Sequence, residues 1–214
     1  NDSSRIFYSL YVANGPKLIT AGGKAGQLNF NNFSDINSNK AVGGRIGIFI
    51  IPELDISYAF NYADIGANNT AFEDTNAIIH DFSANYIVEK EKIGGRLAIR
   101  GEYVYSDADT ITINATTFDN TRSGGYAQVA YRPTFTDSFF KNVEGVIRYD
   151  WLDNPSDGAG VTKAYDEERL TVGINYWINP STVFKTAYRF DNVDDPTGNK
   201  TDTDALLLQV AIGF

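Results

Sequence analysis

Leu54-Asp-Ile-Ser-Tyr-Ala-Phe-Asn-Tyr62 is the stretch that decides the fold. Leu54, Ile56, Tyr58, Phe60 and Tyr62 are apolar, while Asp55, Ser57, Ala59 and Asn61 between them are polar or small. Successive side chains of an extended strand point to opposite faces, so this segment has one oily face and one wet face. A helix would scatter the same residues around its axis.

Outward from there the period of two repeats. Ile78, His80, Phe82, Ala84 and Tyr86 alternate with Ile79, Asp81, Ser83 and Asn85; Leu97, Ile99, Gly101, Tyr103 and Tyr105 alternate with Arg96, Ala98, Arg100 and Glu102. Val143 to Trp151 and Leu170 to Tyr176 behave alike. The final segment, Ala205-Leu-Leu-Leu-Gln-Val-Ala-Ile-Gly-Phe214, has Leu206, Leu208, Val210, Ile212 and Phe214 on one face and stops at an aromatic. Ten strands are predicted, near 4–13, 40–50, 53–63, 76–88, 94–106, 122–132, 142–151, 167–178, 181–191 and 204–214.

The connections alternate in length. Short ones fall at Ile51-Pro52, Glu89 to Ile93, Pro133 to Lys141 and Asn179-Pro180; long ones at Asn14 to Asn39, Asp64 to Thr75, Asp107 to Thr121, Leu152 to Asp166 and Asn192 to Thr203. Short turns at one end and long loops at the other are the habit of barrels in the bacterial outer membrane. The predicted fold is therefore all-β, a transmembrane antiparallel up-and-down β-barrel, one domain over residues 1–214 with outer-membrane lipid around it. A soluble β-sandwich also alternates, but it fills its apolar face mostly with Leu, Ile and Val. Here Tyr62, Tyr105, Trp151 and Phe190 end the ascending strands, and Tyr86, Tyr131, Tyr176 and Phe214 end the descending ones. Two such rows match interfacial girdles; the second strand, ending in Ile50, departs from the pattern.

Composition excludes several classes. With no Cys there is no disulfide framework and no thiolate site. The longest apolar runs, such as Ile46 to Pro52, fall far short of the roughly 20 residues of a membrane-spanning helix. A net charge of −9 argues against nucleic acid as a partner. The absence of Met even at position 1 reads as a processed or trimmed chain.

If the apolar face meets lipid, the other parity lines the interior. It carries Arg45, Arg96, Arg100, Arg132, Arg148, Arg169, Lys185 and Arg189, with Arg5 as a further candidate, against Glu53, Asp55, Asp81, Glu102, Glu144 and Asp150. One reading is a water-filled pore with a basic wall that eases anion entry. The other is a closed barrel filled by ion pairs, since Arg100 and Glu102, and Arg148 and Asp150, share a face of their own strands.

Other sites are weaker. His80 is the only histidine, and its neighbour Asp81 must point to the opposite face, so the pair cannot form an acid–base couple and no enzyme activity is expected. Asp191, Asp194, Asp195, Asp202 and Asp204 make an acidic loop that suits Ca²⁺ in donor type but not in spacing, and no cofactor is expected. The Gly- and Asn-rich loop Asn14 to Asn39 is long enough to fold inward and constrict a pore, or to move freely on the surface.

Several segments in order carry a resemblance. They are Tyr8-Ser-Leu-Tyr-Val-Ala-Asn-Gly-Pro16, Asn37-Ser-Asn-Lys-Ala-Val-Gly-Gly-Arg45, Gly101-Glu-Tyr-Val-Tyr105 and Gly125-Tyr-Ala-Gln-Val-Ala-Tyr-Arg-Pro133, then Arg148-Tyr-Asp-Trp151, Arg169-Leu-Thr-Val-Gly-Ile-Asn-Tyr-Trp177 and Leu208-Gln-Val-Ala-Ile-Gly-Phe214. Together they resemble the C-terminal part of Gram-negative porins of the phosphate-selective type. The resemblance implies a passive diffusion channel for small hydrophilic solutes, anionic and phosphate-like ones among them, assembled as a homotrimer of barrels of about sixteen strands. About ten strands are found here, so the expectation is either a ten-stranded relative or the last part of a larger barrel. A closed barrel serving as a structural or binding component of an envelope complex is the alternative function.

Overall fold

The structure, a computed structural model, describes residues 5–21, 25–31, 37–113, 115–135, 139–155, 166–194 and 200–213. Ten long strands run in order: β1 (Arg5–Ala13), β2 (Ala41–Ile51), β3 (Leu54–Asp64), β4 (Asn76–Lys90), β5 (Gly95–Ala108), β6 (Arg122–Pro133), β7 (Val143–Asp153), β8 (Asp166–Asn179), β9 (Thr182–Asp194) and β10 (Ala205–Ile212). Each pairs antiparallel with the next, an up-and-down meander. Among the described residues β1 pairs only with β2, and β10 only with β9, so the sheet is open between them. Among the described residues no helix is long and apolar enough to cross a membrane.

Local chemistry explains the tight turns. Only Pro180 and Ser181 separate β8 from β9, and Asn179 Oδ1 accepts the Ser181 N–H at 2.9 Å, an Asx turn. Between β4 and β5 a single 3₁₀ turn, Glu91–Ile93, ends on Gly94 with φ +67°, whose N–H donates to Glu91 O at 2.8 Å. That left-handed conformation favours glycine. In the β2–β3 ladder the pairing passes from Phe49/Asp55 to Ile51/Leu54 and leaves Ile50 without an opposite number. This bulge falls at Ile50, the one strand end that departs from the aromatic pattern.

The register fixes which side chains share a face. Arg45 lies opposite Ser9 and Ala59, and Ala59 opposite Asp81. Arg100 lies opposite Asn85 and Gln128, Gln128 opposite Arg148, Arg148 opposite Thr171, and Thr171 opposite Arg189. One face is thus polar and charged from β1 to β9. The other carries Ile46, Ile147, Ile174 and Val210, each more than half exposed (55, 57, 52 and 58 %). An apolar face of this extent is stable against lipid and unstable against water.

The buried hydrophobic cluster lies at the long-loop end. Leu18, Ala25, Ile65, Ile111 and Ile113 from the loops pack with Ala41, Ala63, Ala77 and Ala108, all on the charged side of β2 to β5. Two short ribbons build this cap: Lys17–Leu18 with Leu28–Asn29, and Ile111–Ile113 with Thr116–Phe118. The loop after β1 therefore folds inward over the charged face. Over its described residues the loop packs against the charged side of β2 to β5 through Leu18, Ala25 and Leu28.

Candidate functional site

Every residue of the expected wall, Arg45, Arg96, Arg100, Arg132, Arg148, Arg169, Lys185, Arg189, Glu102 and Asp150, falls on the charged face. Arg5, opposite Phe49, shares it. Their surroundings divide them into two groups.

The first group is neutralised. Arg148 Nη2 meets Asp150 Oδ1 at 2.6 Å, and its guanidinium lies 3.7 Å from the centroid of the Tyr126 ring. Asp191, with its side chain only 3 % exposed, takes Arg169 Nε on Oδ1 and Arg189 Nε on Oδ2, both at 2.6 Å. Glu167 adds a looser contact to Arg169 at 3.6 Å. Arg96 lies 3.8 Å from Glu144, whose Oε1 also accepts the Asn175 amide at 2.7 Å. These pairs are the structural filling that the closed-barrel reading expected.

The second group keeps its charge. Arg100 and Lys185 have no acid within ion-pair distance among the described residues, so Arg100 does not pair with Glu102 on its own strand. Both line a hollow of about 510 Å³ together with the paired Arg96 and Glu144 and with Gln128, Thr171, Asn175 and Gln209. Arg45 is held by hydroxyls instead: its Nη2 donates to Ser57 Oγ at 2.7 Å and to Ser83 Oγ at 3.3 Å. A cation held by neutral groups leaves its field available to solutes.

Over the long-loop end stands a cation that parity alone did not single out. Arg122 opens β6 on the charged side, opposite Ser106. It donates to Asn154 Oδ1 at 2.5 Å and Asn120 Oδ1 at 3.0 Å. Asn120, 1 % exposed, in turn donates its amide to Gly26 O at 2.6 Å. This chain of contacts fastens the inward loop to the start of β6. Its position at the edge of a long connection hid Arg122 from a reading based on strand interiors.

The aromatic residues of the opposite face sit at its two ends. Tyr62, Tyr105, Trp151 and Phe190 lie toward the long loops, and Tyr62 Oη donates to Asn76 Oδ1 at 2.9 Å. Tyr86, Tyr131 and Tyr176 lie toward the short turns, where Tyr131 Oη donates to the Ile93 carbonyl at 2.8 Å. Phe214 lies outside the described residues. The sequence reading missed Phe139 and Phe140, both 65 % exposed in the β6–β7 turn, the first stacked on Tyr176 at 5.3 Å. They fell in a connection, where alternation gives no signal.

His80 is on the apolar face, bonded to Tyr58 Oη through Nδ1 at 2.8 Å and flanked by Tyr105. Asp81 is on the other face. Of the acidic loop, Asp191 is engaged by two arginines and Asp204 accepts from Tyr188 Oη at 3.1 Å and from the Asp191 N–H at 3.3 Å. The Asp194 side chain and Asp195 lie outside the described residues. No cluster of three or more metal-ligating side chains occurs among the described residues.

A family model described as phosphate-selective porin O and P matches residues 16–214. No curated protein and no solved structure matches.

Proposed function

The chain belongs to the phosphate-selective porin O and P family, a family of outer-membrane channels, and on that premise we propose that its charged face lines a water-filled passage for small anionic solutes. Oxyanions of the phosphate class are the intended cargo, and passage is by diffusion with no covalent step. The observation that carries this is the pair Arg100 and Lys185, neither with an acid at ion-pair distance, in one hollow that also holds the paired Arg96 and Glu144 and the neutral Gln128, Thr171, Asn175 and Gln209. Four of the wall cations, Arg96, Arg148, Arg169 and Arg189, are paired with acids, so the selective field comes from the few that remain. Water around a solute is replaced there by amides and a hydroxyl, while the two cations lower the cost of its negative charge.

The two rows of aromatics act as girdles at the lipid boundaries, and copies associate through the apolar face as a trimer. In planar bilayers under a salt gradient, the reversal potential of the wild-type protein is expected on the anion side. The double variant Arg100→Gln/Lys185→Gln is expected to move it toward zero or beyond. A cation-selective wild type, or a double variant with unchanged selectivity, overturns the proposal.

One observation favours a second reading. The loop cap of Leu18, Ala25, Ile65, Ile111 and Ile113 covers the charged face at the long-loop end, in keeping with a closed barrel of structural or binding role. Single-channel recording separates the two: a stable open conductance belongs to the channel, and its absence to the closed barrel.

A further inference from the structure

On the charged face β1 places two aromatic side chains, Phe7 and Tyr11, in a wall otherwise rich in charge. Each lies directly opposite a glycine of β2, Phe7 opposite Gly47 and Tyr11 opposite Gly43. A Cβ added to Gly47 would stand 2.1 Å from Phe7 Cζ, and one added to Gly43 would stand 2.2 Å from Tyr11 Cζ. Both rings therefore lie down over β2 on seats that glycine alone leaves open, and both glycines are buried. Tyr11 remains 45 % exposed, so its ring is presented to the passage and not packed away. Phe49 extends the strip, its ring centroid 5.7 Å from that of Phe7. Arg45, between the two seats, sets its guanidinium 5.5 Å from the Phe7 centroid.

Polar groups flank the rings. The hydrogen bonds of Arg45 Nε and Nη2 to Ser57 and Ser83 leave its Nη1 as a donor toward the passage. Asn61 donates its amide to Tyr11 Oη at 2.8 Å, while its Oδ1 is shielded from solvent and has no hydrogen-bond partner among the described residues. That oxygen lacks a donor, which a hydroxyl supplies and an oxyanion does not. We propose that this strip binds neutral sugars, whose ring C–H bonds stack on Phe7 and Tyr11 while their hydroxyls bond to Arg45 and Asn61. The electron-rich faces of aromatic rings attract such polarised C–H bonds. Four residues apart on one strand, the two rings are about 13 Å apart along it, so a monosaccharide reaches one and a linear oligomer spans both. Saccharides are thus a second class of cargo, held by stacking and not by the field that acts on anions. A leucine would cover the glycine seats as well as these rings do; what it lacks is the flat π face.

The inference rests on the charged face lining an open passage, and the two fail differently. In planar bilayers at symmetric salt, maltohexaose is expected to block the single-channel current in a saturable way, and glucose far more weakly. Phe7→Leu and Tyr11→Leu, which keep apolar cover on the seats, should each weaken the block roughly three- to tenfold. Tyr11→Phe, which keeps the ring, should retain most of it. Gly47→Ala leaves Phe7 in the chain but drives its ring off the seat, and should act as Phe7→Leu does. Arg100→Gln/Lys185→Gln should leave the sugar block unchanged while altering anion selectivity. An open wild-type channel that maltohexaose does not block, or a block that survives both leucine variants, overturns the sugar strip and leaves the channel reading standing. A wild type with no open conductance overturns both.

Discussion

Asp191 sits between Arg169 and Arg189 with its carboxylate almost wholly shielded, so it holds two cations in place at once. Asp191→Asn leaves both guanidinium groups facing each other across β8 and β9. The expected loss is about 2 kcal/mol, less than the roughly 3–5 for a fully buried pair because both arginines are about a third exposed. The urea midpoint of the protein folded in lipid vesicles measures it, and an unchanged midpoint contradicts the arrangement. At this scale the sequence was only half legible. Parity placed Arg100 and Arg148 on one face, each two residues from an acid, yet Arg148 pairs with Asp150 while Arg100 stays free. Gln128 on β6 lies opposite both arginines, and what sets Arg148 apart is the Tyr126 ring beneath its guanidinium. A linear reading of one strand does not contain those neighbours.

At the scale of elements, the strands were legible and the loops were not. The sixth strand, expected at 122–132, is Arg122–Pro133, and the third, expected at 53–63, is Leu54–Asp64. Alternation is a local property that a strand writes into its own residues. The inward fold of the loop after β1 rests instead on Leu18 N–H donating to Ile65 O at 2.9 Å and on Asn120 reaching Gly26 from 94 residues away in the chain. Neither contact has a local signature. Asn120 is the fastening that can be cut without touching the wall. Asn120→Ala is expected to free the loop, raising single-channel conductance and its current noise with selectivity kept. An unchanged conductance means that the loop does not limit flow.

For the whole molecule, one face of an up-and-down sheet is charged and the other is oily, and the assignment of these faces to water and lipid carries everything above. The open edges at β1 and β10 do not alter which side chains share a face, because the ladder register sets that strand by strand. The absence of any native Cys allows single thiols to be placed at will. Gln128→Cys and Thr171→Cys mark the charged face; Val129→Cys and Val172→Cys, one residue further on, mark the apolar one. With the protein reconstituted in lipid vesicles, each is exposed to a charged, water-soluble thiol reagent. The expected result is rapid labelling at 128 and 171 and protection at 129 and 172. Labelling of the second pair with protection of the first, or equal reaction at all four, contradicts the claim that the charged face lines a water-filled passage.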